Sequence, residues 1–256
     1  MINYTVEAQI GKIVLNRPDK FNSFNREMSL ALQQAISECE KDKNVRAVLI
    51  TATGKAFSAG QDLSEASGPD GMSIGKIVSE HYNPIILGIR TIAKPVVCAV
   101  NGVAAGAGAN IALACDIVVA AKSATFIQAF SKIGLIPDSG GTFFLPRLIG
   151  MQASSALMLL GDKVSADEAK SMGMIYKVFD DDALLAEAYK IAETLSHMPT
   201  KGIGLTKELL NKSMTNSLED QLRLEEKYQV QAGATHDFNE GVKAFLEKRK
   251  PVFSGE

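Results

Sequence analysis

The most informative segment of the sequence reads PVVCAVNGVAAGAG over residues 95–108. Residues 95–100 form an uninterrupted apolar run that ends at an Asn-Gly pair, which is typical of a strand covered on both faces of a parallel sheet. The glycines and alanines that follow predict a loop leading into a short helix near residues 109–115. A buried strand, a glycine loop and a helix in this order indicate an α/β protein.

Strand and helix signals surround this segment over the first three quarters of the chain. Residues 2–8 and 12–15 predict an opening hairpin, and residues 45–51 predict a second buried strand. Asn25 is a suitable N-cap for a helix whose apolar residues recur at helical spacing. The other predicted elements are strands at 117–120, 124–127 and 175–179, a helical segment at 72–93 that Pro84 should break, helices at 140–161 and 165–173, and three final helices near 200–214, 217–233 and 237–249.

The 256 residues are enough for one large domain with a small appendage. Strand signals end near residue 195, which predicts a core domain over residues 1–195 and a helical region over residues 196–256. With 46% hydrophobic residues, the chain can bury a sizeable apolar interior. The formal net charge of −2 argues against a nucleic-acid partner and against attraction to an anionic membrane.

The sequence also bears on the compartment of the protein. Its N-terminal residues lack a basic segment followed by an apolar stretch, so no signal peptide is predicted. Three cysteines, an odd number, fit reduced thiols in a cytoplasmic protein, and we predict no metal site from them or from the three dispersed histidines. Residues 95–121 are apolar enough to suggest a membrane span, but their glycines and asparagines favour buried strand and loop, so no membrane contact is predicted.

Two loops rich in small residues, SAGQD at residues 58–62 and NGVAAGAG at residues 101–108, each lie between a predicted strand and a predicted helix. Small side chains let backbone N–H groups approach a ligand, and the first N–H groups of a helix have no partner within it. Two such loops side by side would form an oxyanion hole, which stabilises negative charge on a substrate oxygen. The alternative is that glycine and alanine only permit close packing. Neither loop has the residue order of a phosphate-binding or dinucleotide-binding loop.

A third segment, GLIPDSGGT at residues 134–142, holds a single carboxylate, Asp138. Apolar residues flank it in the sequence, and an apolar environment raises the pKa of a carboxyl group, which makes the carboxylate a better general base. The alternative is a turn or N-cap residue, because aspartate before Ser-Gly-Gly suits either role. The spacing leaves both interpretations open.

Together these segments resemble the crotonase (enoyl-CoA hydratase/isomerase) superfamily. The resemblance rests on FSAGQDL at residues 57–63, KPVV at 94–97, NGVAAGAG at 101–108, ACDI at 114–117 and the segment 134–150, and it extends from LNRP at 15–18 to FLEKR at 245–249. It implies an α/β fold in which ββα units wind in a spiral, followed by a C-terminal helical trimerisation region. It also implies an acyl-CoA substrate, no cofactor beyond the CoA of that substrate, and a homotrimer or a dimer of trimers.

The resemblance assigns the chemistry to three residues: it places the oxyanion-hole N–H groups on Gln61 and Ala107, and the reacting carboxylate on Asp138. Hydratases of the superfamily carry two glutamates at positions that correspond to Asn110 and Phe130. Water addition needs one group to activate the water and another to protonate carbon 2, so these replacements argue against efficient hydration. A single aspartate that moves one proton is the pattern of the isomerases.

The segment around Asp138 is most similar to bacterial isomerases that convert ring-1,2-epoxyphenylacetyl-CoA to oxepin-CoA in phenylacetate catabolism. Such enzymes also shift the double bond of 3-enoyl-CoA to give 2-enoyl-CoA, and an isomerase of this kind is the predicted function. The alternatives are an enoyl-CoA hydratase of fatty-acid β-oxidation and a non-enzymatic crotonase-fold scaffold. An aromatic acyl-CoA dehalogenase, in which the same aspartate position is a nucleophile, is disfavoured because the sequence has no Trp and His81 is displaced from the position of the required base.

The resemblance further implies where the substrate is held. The predicted substrate-binding residues are Phe21, Phe24, Ala59, Gly60, Asp62, Leu63, Gly108, Phe130, Ile136, Pro137, Phe245 and Lys248. The backbone near Phe21 and Phe24 would approach the adenine, and Phe130 would exclude water from the reacting carbon. Phe245 and Lys248 would reach the CoA of a neighbouring subunit. Asp62 has the alternative role of a loop cap.

Overall fold

The computed structural model describes residues 1–66 and 71–256. Strands within these residues are β1 (Ile2–Glu7), β2 (Ile10–Leu15), β3 (Ala47–Ala52), β4 (Ala56–Ser58), β5 (Val96–Val100), β6 (Val103–Ala105), β7 (Ile117–Ala121), β8 (Thr125–Ile127), β9 (Lys163–Ser165) and β10 (Lys177–Phe179). The α-helices are α1 (Arg26–Lys41), α2 (Leu63–Ala66), α3 (Ile74–Lys76), α4 (Asn83–Thr91), α5 (Ala107–Leu113), α6 (Gly141–Leu160), α7 (Ala166–Ser171), α8 (Leu184–Ser196), α9 (Thr200–Ser213), α10 (Leu218–Gly233) and α11 (His236–Leu246). Two 3₁₀-helices, Pro18–Lys20 and Ala129–Ile133, and a π-helical segment, Ile77–Tyr82, lie between them.

The chain alternates between two sheets. One sheet has six strands in the order β1-β2-β3-β5-β7-β10, and the other has four in the order β4-β6-β8-β9. From β3 to β8, each strand of the larger sheet is followed by a short strand of the smaller one, and both sheets run parallel over this stretch. Each turn therefore contributes one strand to each sheet before the chain returns, which is the spiral of ββα units that the resemblance predicts.

The core lies around the parallel strands β3 and β5, whose residues are almost all buried. Helix α8 packs across β3, β5 and β7. A strand covered on both faces has no need of polar alternation, which explains the uninterrupted apolar runs in the sequence. The rigid strands carry the loops that follow them, so the ends of β4 and β6 set the positions of the two small-residue loops.

The predicted opening hairpin is confirmed, because β1 and β2 pair antiparallel with Ile2 opposite Leu15. The other predicted strands are also present, as β3, β5, β7, β8 and β10, and the two that were predicted to be buried, β3 and β5, are buried. Three short strands, β4, β6 and β9, lie where loops or no element were predicted. Each has three residues, which is too short for a periodic pattern to show, and neighbouring strands rather than local sequence specify them.

The helical segment before residue 93 changes its geometry at Pro84, as predicted. The π-helical segment Ile77–Tyr82 ends where α4 begins, and Pro84 is the second residue of α4. Proline has no N–H to offer the carbonyl four residues earlier, that of Glu80. The Gln33 side chain of α1 supplies the missing donor: its Nε2 lies 2.7 Å from Glu80 O and 3.0 Å from His81 O. The wider π-helical turn is thus held by a neighbouring helix.

Helix α6 has the length and composition of a membrane span, with 20 residues and a mean hydropathy of 1.4. Gly150 interrupts it with φ 78° and ψ 163°, so α6 consists of two segments joined at a bend. Crossing a bilayer takes about 20 consecutive helical residues, and each segment is about half that length. Exposed apolar side chains nevertheless remain on α6, including Met151 and Leu159.

The chain after α8 is helical, as predicted, with α9, α10 and α11 in succession. Buried ion pairing fastens α9 to the core, because Lys207 Nζ lies 2.7 Å from Asp116 Oδ2. Arg46 holds the C-terminal tail through its Nη1, which donates to Phe253 O at 2.8 Å. Helix α8 ends at Ser196, next to the predicted division at residue 195. That the two parts act as a core domain and an oligomerisation region stays a prediction.

Candidate active site

The two small-residue loops lie against each other. A Cβ atom on Gly60 would come within 2.9 Å of Ala105 O and 3.5 Å of Ala107 N. A Cβ atom on Gly108 would come within 2.6 Å of the Ser58 Cβ. Gly60 also has φ +86°, a conformation that L side chains rarely adopt. Close packing therefore does occur here, and it places Gly60, the residue before Gln61, directly beside Ala107.

The backbone N–H groups of Gln61 and Ala107 both lack an acceptor in the hydrogen bonding of their loops. Gln61 forms an isolated parallel bridge with Phe24, in which Phe24 N–H donates to Gly60 O at 2.7 Å and Asp62 N–H donates to Phe24 O at 2.8 Å. Ala107 is the first residue of α5, where an N–H has no acceptor within the helix. In the described part of the chain, neither N–H donates to a protein atom. Two free donors on adjacent loops are what an oxyanion hole requires.

Asp138 lies on the turn that leads into α6, and its carboxylate does not cap that helix. The N-cap of α6 is Gly140, which makes no side-chain cap, so the alternative role of Asp138 as a cap is wrong. Burial raises the pKa of the Asp138 carboxyl above its usual range, although Ser139 Oγ, which donates to Oδ1 at 2.9 Å, acts in the opposite direction. A carboxylate with a raised pKa is suited to accept a proton from carbon.

One cavity of about 220 Å³ brings these groups together. Its described lining residues are Ala59, Gly60, Gln61, Leu63, Ile74, Ile77, Val78, Tyr82, Gly106, Ala107, Ala129, Phe130, Lys132, Ile133, Leu135 and Asp138. Asp138 is the one carboxylate in this described lining, and most of the other side chains are apolar. The cavity therefore combines two hydrogen-bond donors, one base and an apolar wall. A base can form an enolate, and the two donors can stabilise it in an apolar environment.

Asn110 and Phe130, at the positions of the two hydratase glutamates, take structural places around Asp138. Asn110 is fully buried, and its Nδ2 donates to Asp138 O at 2.9 Å. Gln128 Nε2 in turn donates to Asn110 Oδ1 at 2.8 Å. Phe130 is buried at 6% exposure and forms part of the cavity wall. The side-chain amides of Asn110 and Gln128 thus hold the backbone of Asp138. Asn110 does so from a position that holds a glutamate in the hydratases.

Comparison with known proteins agrees with the geometry of the cavity. The family model described as enoyl-CoA hydratase/isomerase matches residues 5–256. The chain belongs to this family. The match covers nearly the whole chain, and the family is one of enzymes, so both the recognition from the sequence and the crotonase fold are confirmed.

Individual relatives cover the chain almost completely. The chain is 47% identical to the 1,2-epoxyphenylacetyl-CoA isomerase of Escherichia coli (strain K12), over 98% of this chain and 97% of that protein. It is 39% identical to a probable enoyl-CoA hydratase of Rhodobacter capsulatus, over 99% of this chain and 98% of that protein. The crystal structure of a Mycobacterium abscessus protein of the same enoyl-CoA hydratase/isomerase group superposes with a TM-score of 0.96 at 40% identity, covering 100% of both chains.

Only some of the predicted substrate-binding residues line the cavity. Ala59, Gly60, Leu63 and Phe130 line it beside the three predicted catalytic residues. The remaining predicted residues, which do not line it, are Phe21, Phe24, Asp62, Gly108, Ile136, Pro137, Phe245 and Lys248.

Four of these residues have structural reasons to stand outside the cavity. Phe24 is fully buried beneath Tyr82, with ring centroids 6.1 Å apart, and Gly108 packs against Ser58. The Ile136 side chain is 81% exposed and turns away from the wall that Leu135 forms. Pro137, beside it, is half-buried without reaching the cavity. That these four residues bind the substrate, for Phe24 through its backbone near the adenine, stays a prediction.

The other four predicted residues are at least partly exposed and lie outside the cavity. Asp62 accepts from Arg17 Nη1 at 2.7 Å and from Ser64 N at 3.2 Å, so it is the loop cap that was the alternative interpretation. Phe21 is 57% exposed near this loop, and Phe245 is 82% exposed on α11. Lys248 is the second residue after α11. Contact of Phe245 and Lys248 with a neighbouring subunit's CoA, and the trimer itself, stay predictions.

Sequence reasoning missed the cavity wall contributed by Ile74, Ile77, Val78 and Tyr82. These residues belong to the segment that was predicted as a helix with a break. With the spacing of a regular α-helix, the apolar residues of this segment are expected to face the core. The π-helical turn instead directs some of them into the cavity. Pro84, which marks the end of that turn, was the available signal.

We expect Asn110→Ala to lower the free energy of unfolding by about 2 kcal/mol, because it leaves Gln128 Nε2 buried without a partner and removes one of the two hydrogen bonds to Asp138 O, the other being that from Gly141 N. It should also lower kcat about tenfold as the Asp138 backbone loses a restraint. Urea unfolding and isomerase kinetics measure the two effects. Asn239→Ala, which removes a part-buried hydrogen bond from an exposed side chain to the O atom of Thr235, the N-cap of α11, serves as the control and should change neither quantity appreciably. An Asn110→Ala protein with unchanged stability would contradict the proposed restraint.

Proposed function

We propose that this protein is an acyl-CoA thioester isomerase that converts ring-1,2-epoxyphenylacetyl-CoA to oxepin-CoA and also shifts the double bond of 3-enoyl-CoA to position 2. The observation that carries the proposal is a single carboxylate, Asp138, in the described lining of a cavity that also holds two free N–H groups. The Escherichia coli relative, a 1,2-epoxyphenylacetyl-CoA isomerase that is 47% identical, supports the ring-epoxide substrate.

In this mechanism the thioester oxygen accepts hydrogen bonds from Gln61 N–H and Ala107 N–H. Asp138 removes a proton from carbon 2, and the electron pair of that C–H bond moves toward the thioester oxygen as an enolate. The protonated Asp138 then returns the proton to a carbon further along the conjugated system. In the ring epoxide, the carbon–carbon bond between the two epoxide carbons also breaks as the ring double bonds shift, so the ring expands while both carbon–oxygen bonds stay intact. The product has the same atoms as the substrate, so no group beyond this carboxyl needs to give or take a proton.

Hydration is the second candidate, because the Rhodobacter capsulatus relative is described as a probable enoyl-CoA hydratase. Water addition requires activation of the water as well as protonation of carbon 2. Asn110 makes its two hydrogen bonds to protein groups, and Phe130 offers only an apolar ring. The described wall of the cavity therefore favours proton transfer between carbons over addition of water.

A panel of three substrates tests the proposal. Ring-1,2-epoxyphenylacetyl-CoA and a straight-chain 3-enoyl-CoA should both be isomerised, with product formation followed by chromatography and mass. Hydration of crotonyl-CoA should be slower by at least about 10²-fold, the contribution expected of a missing acid–base group. Hydration that matches isomerisation in kcat/KM would overturn the assignment. Turnover of the straight chain alone would keep the chemistry and remove the ring epoxide as substrate.

A further inference from the structure

Tyr82 places a hydroxyl group in the cavity that the proton-transfer chemistry leaves unused. Its side chain is 1% exposed and belongs to the cavity lining. The hydroxyl donates to Gln61 Oε1 at 2.7 Å. Gln61 Nε2 continues to Glu65 Oε2 at 3.2 Å, and Glu65 Oε1 accepts from Arg26 N at 2.8 Å. The hydroxyl therefore stands at the cavity end of a hydrogen-bonded chain that leads to the surface.

The backbone geometry that aims Tyr82 inward is itself unusual. Tyr82 is the last residue of the π-helical segment, and π-helical turns occur mostly at functional sites. Gln33 of α1 holds the carbonyls of this turn, and the Phe24 ring supports the Tyr82 ring edge-on. Supports on two sides fix the position of the hydroxyl. A regular α-helix would carry residue 82 to a different angle around the helix axis.

The chemical surroundings make this hydroxyl a donor. It is the only hydroxyl group in the described lining of the cavity, where most other side chains are apolar. Burial raises the pKa of Tyr82 well above its usual range, and the charges of Asp138 and Glu65 act in the same direction. The phenol thus keeps its proton at neutral pH. Gln61 Oε1 is its acceptor in this structure, and a ligand oxygen bound beside the Gln61 side chain could take the place of that acceptor.

We propose that Tyr82 is a specificity-determining residue that donates a hydrogen bond to an ether-type oxygen on the acyl group, next to carbon 2. This inference rests on the proposed function, because the ring epoxide carries its oxygen on the ring carbon bonded to carbon 2. With the thioester oxygen on Gln61 N–H, that oxygen comes close to the Gln61 side chain that Tyr82 now contacts. The hydroxyl changes acceptor, its proton stays on Tyr82, and both carbon–oxygen bonds stay intact. A straight-chain 3-enoyl group has no oxygen there.

The test uses two unreactive ligands of equal size, 2-methoxyphenylacetyl-CoA and 2-ethylphenylacetyl-CoA, which differ by an oxygen in place of a CH₂ group. Isothermal titration calorimetry gives the dissociation constant of each. The natural protein should bind the methoxy ligand about tenfold more tightly, as one buried hydrogen bond allows. Tyr82→Phe should lose that preference. Tyr228→Phe, which removes a hydroxyl bonded to Glu208 outside the cavity, is the matched control and should keep it.

Kinetics provide the second measurement. In Tyr82→Phe, the ratio of kcat/KM for the ring epoxide to kcat/KM for the straight-chain substrate should fall about tenfold. An equal loss on both substrates would assign Tyr82 to holding Gln61 and overturn the proposal, as would a natural protein that shows no preference between the two ligands. Failure of the natural protein to convert the ring epoxide would instead count against the proposed function, and the ligand pair would still decide the role of Tyr82.

Discussion

Asp138→Asn is expected to lower kcat for both isomerisations by about 10³-fold or more while the protein remains folded. The reason is that Asp138 is the one carboxylate in the described lining of the cavity, so no second acid stands ready to take the proton from carbon 2. General acid–base groups contribute about 10²–10⁴-fold, and here one group serves both halves of the transfer. Exchange of the carbon 2 hydrogen with solvent deuterium should fall by the same factor.

The expected stability of Asp138→Asn separates loss of the base from loss of the fold. Because burial raises the pKa of Asp138 in the folded protein, the ionised form is disfavoured there relative to the unfolded chain. The contribution of this group to stability is present below its unfolded pKa and is lost as pH rises through the folded pKa. At neutral pH the natural protein lacks this contribution to its stability, because the Asp138 carboxyl is ionised. The Asp138→Asn protein has an uncharged side chain and avoids this cost of burying a charge. The Tm of Asp138→Asn should therefore equal or exceed that of the natural protein at pH 7.

The control for this variant is Asp181→Asn, which neutralises an exposed carboxylate that accepts from Ser123 N. It should leave kcat unchanged. The pH profile adds a further check, because the base acts only when ionised. Activity of the natural protein should fall as pH drops through a pKa higher than that of an ordinary aspartate. A variant Asp138→Asn with more than about a tenth of the natural kcat would exclude Asp138 as the base.

The two small-residue loops and the lone carboxylate Asp138 were recognisable in the sequence because each lies in a short segment whose residue types serve one local purpose, whereas the choice of Gln61 and Ala107 within the loops came from the family resemblance. Glycines and alanines indicate a loop that a ligand can approach, and a lone aspartate among apolar residues indicates a carboxyl group with a raised pKa. The parallel strands were predictable for a similar reason, since burial on both faces leaves a continuous apolar run. The arrangement then follows from the spiral, which places successive loops side by side.

Tyr82 and Asn110 show what local patterns do not contain. The direction of Tyr82 depends on a π-helical turn, which a donor from α1 stabilises across the fold. The role of Asn110 depends on Gln128 and on the backbone of Asp138, residues 18 and 28 positions away. Phe24 is a further case: the resemblance implies only that its backbone approaches the adenine, and tertiary packing buries its side chain completely. Interactions between distant segments decide each of these cases.

Ala107→Pro is expected to lower kcat by about 10²–10³-fold, because it deletes one of the two oxyanion N–H groups. Most backbone donors cannot be removed without breaking a structure, but Ala107 is the first residue of α5, where proline is well tolerated. Proline also restricts the residue before it, and Gly106, which lacks a Cβ, can meet that restriction. The fold should persist, with a circular dichroism spectrum like that of the natural protein.

Leu218→Pro provides the matched control, because Leu218 is the first residue of α10 and its side chain is 76% exposed. It introduces the same ring at the same helix position away from the cavity, so kcat should stay unchanged. In Ala107→Pro the loss should fall mainly on kcat, since the donor bonds more strongly to an enolate oxygen than to a neutral thioester. Deuterium exchange at carbon 2 should slow in parallel with isomerisation, because both pass through the same enolate. Exchange at the natural rate in Ala107→Pro would mean that this N–H does not stabilise the enolate, and the two-donor oxyanion hole would be refuted.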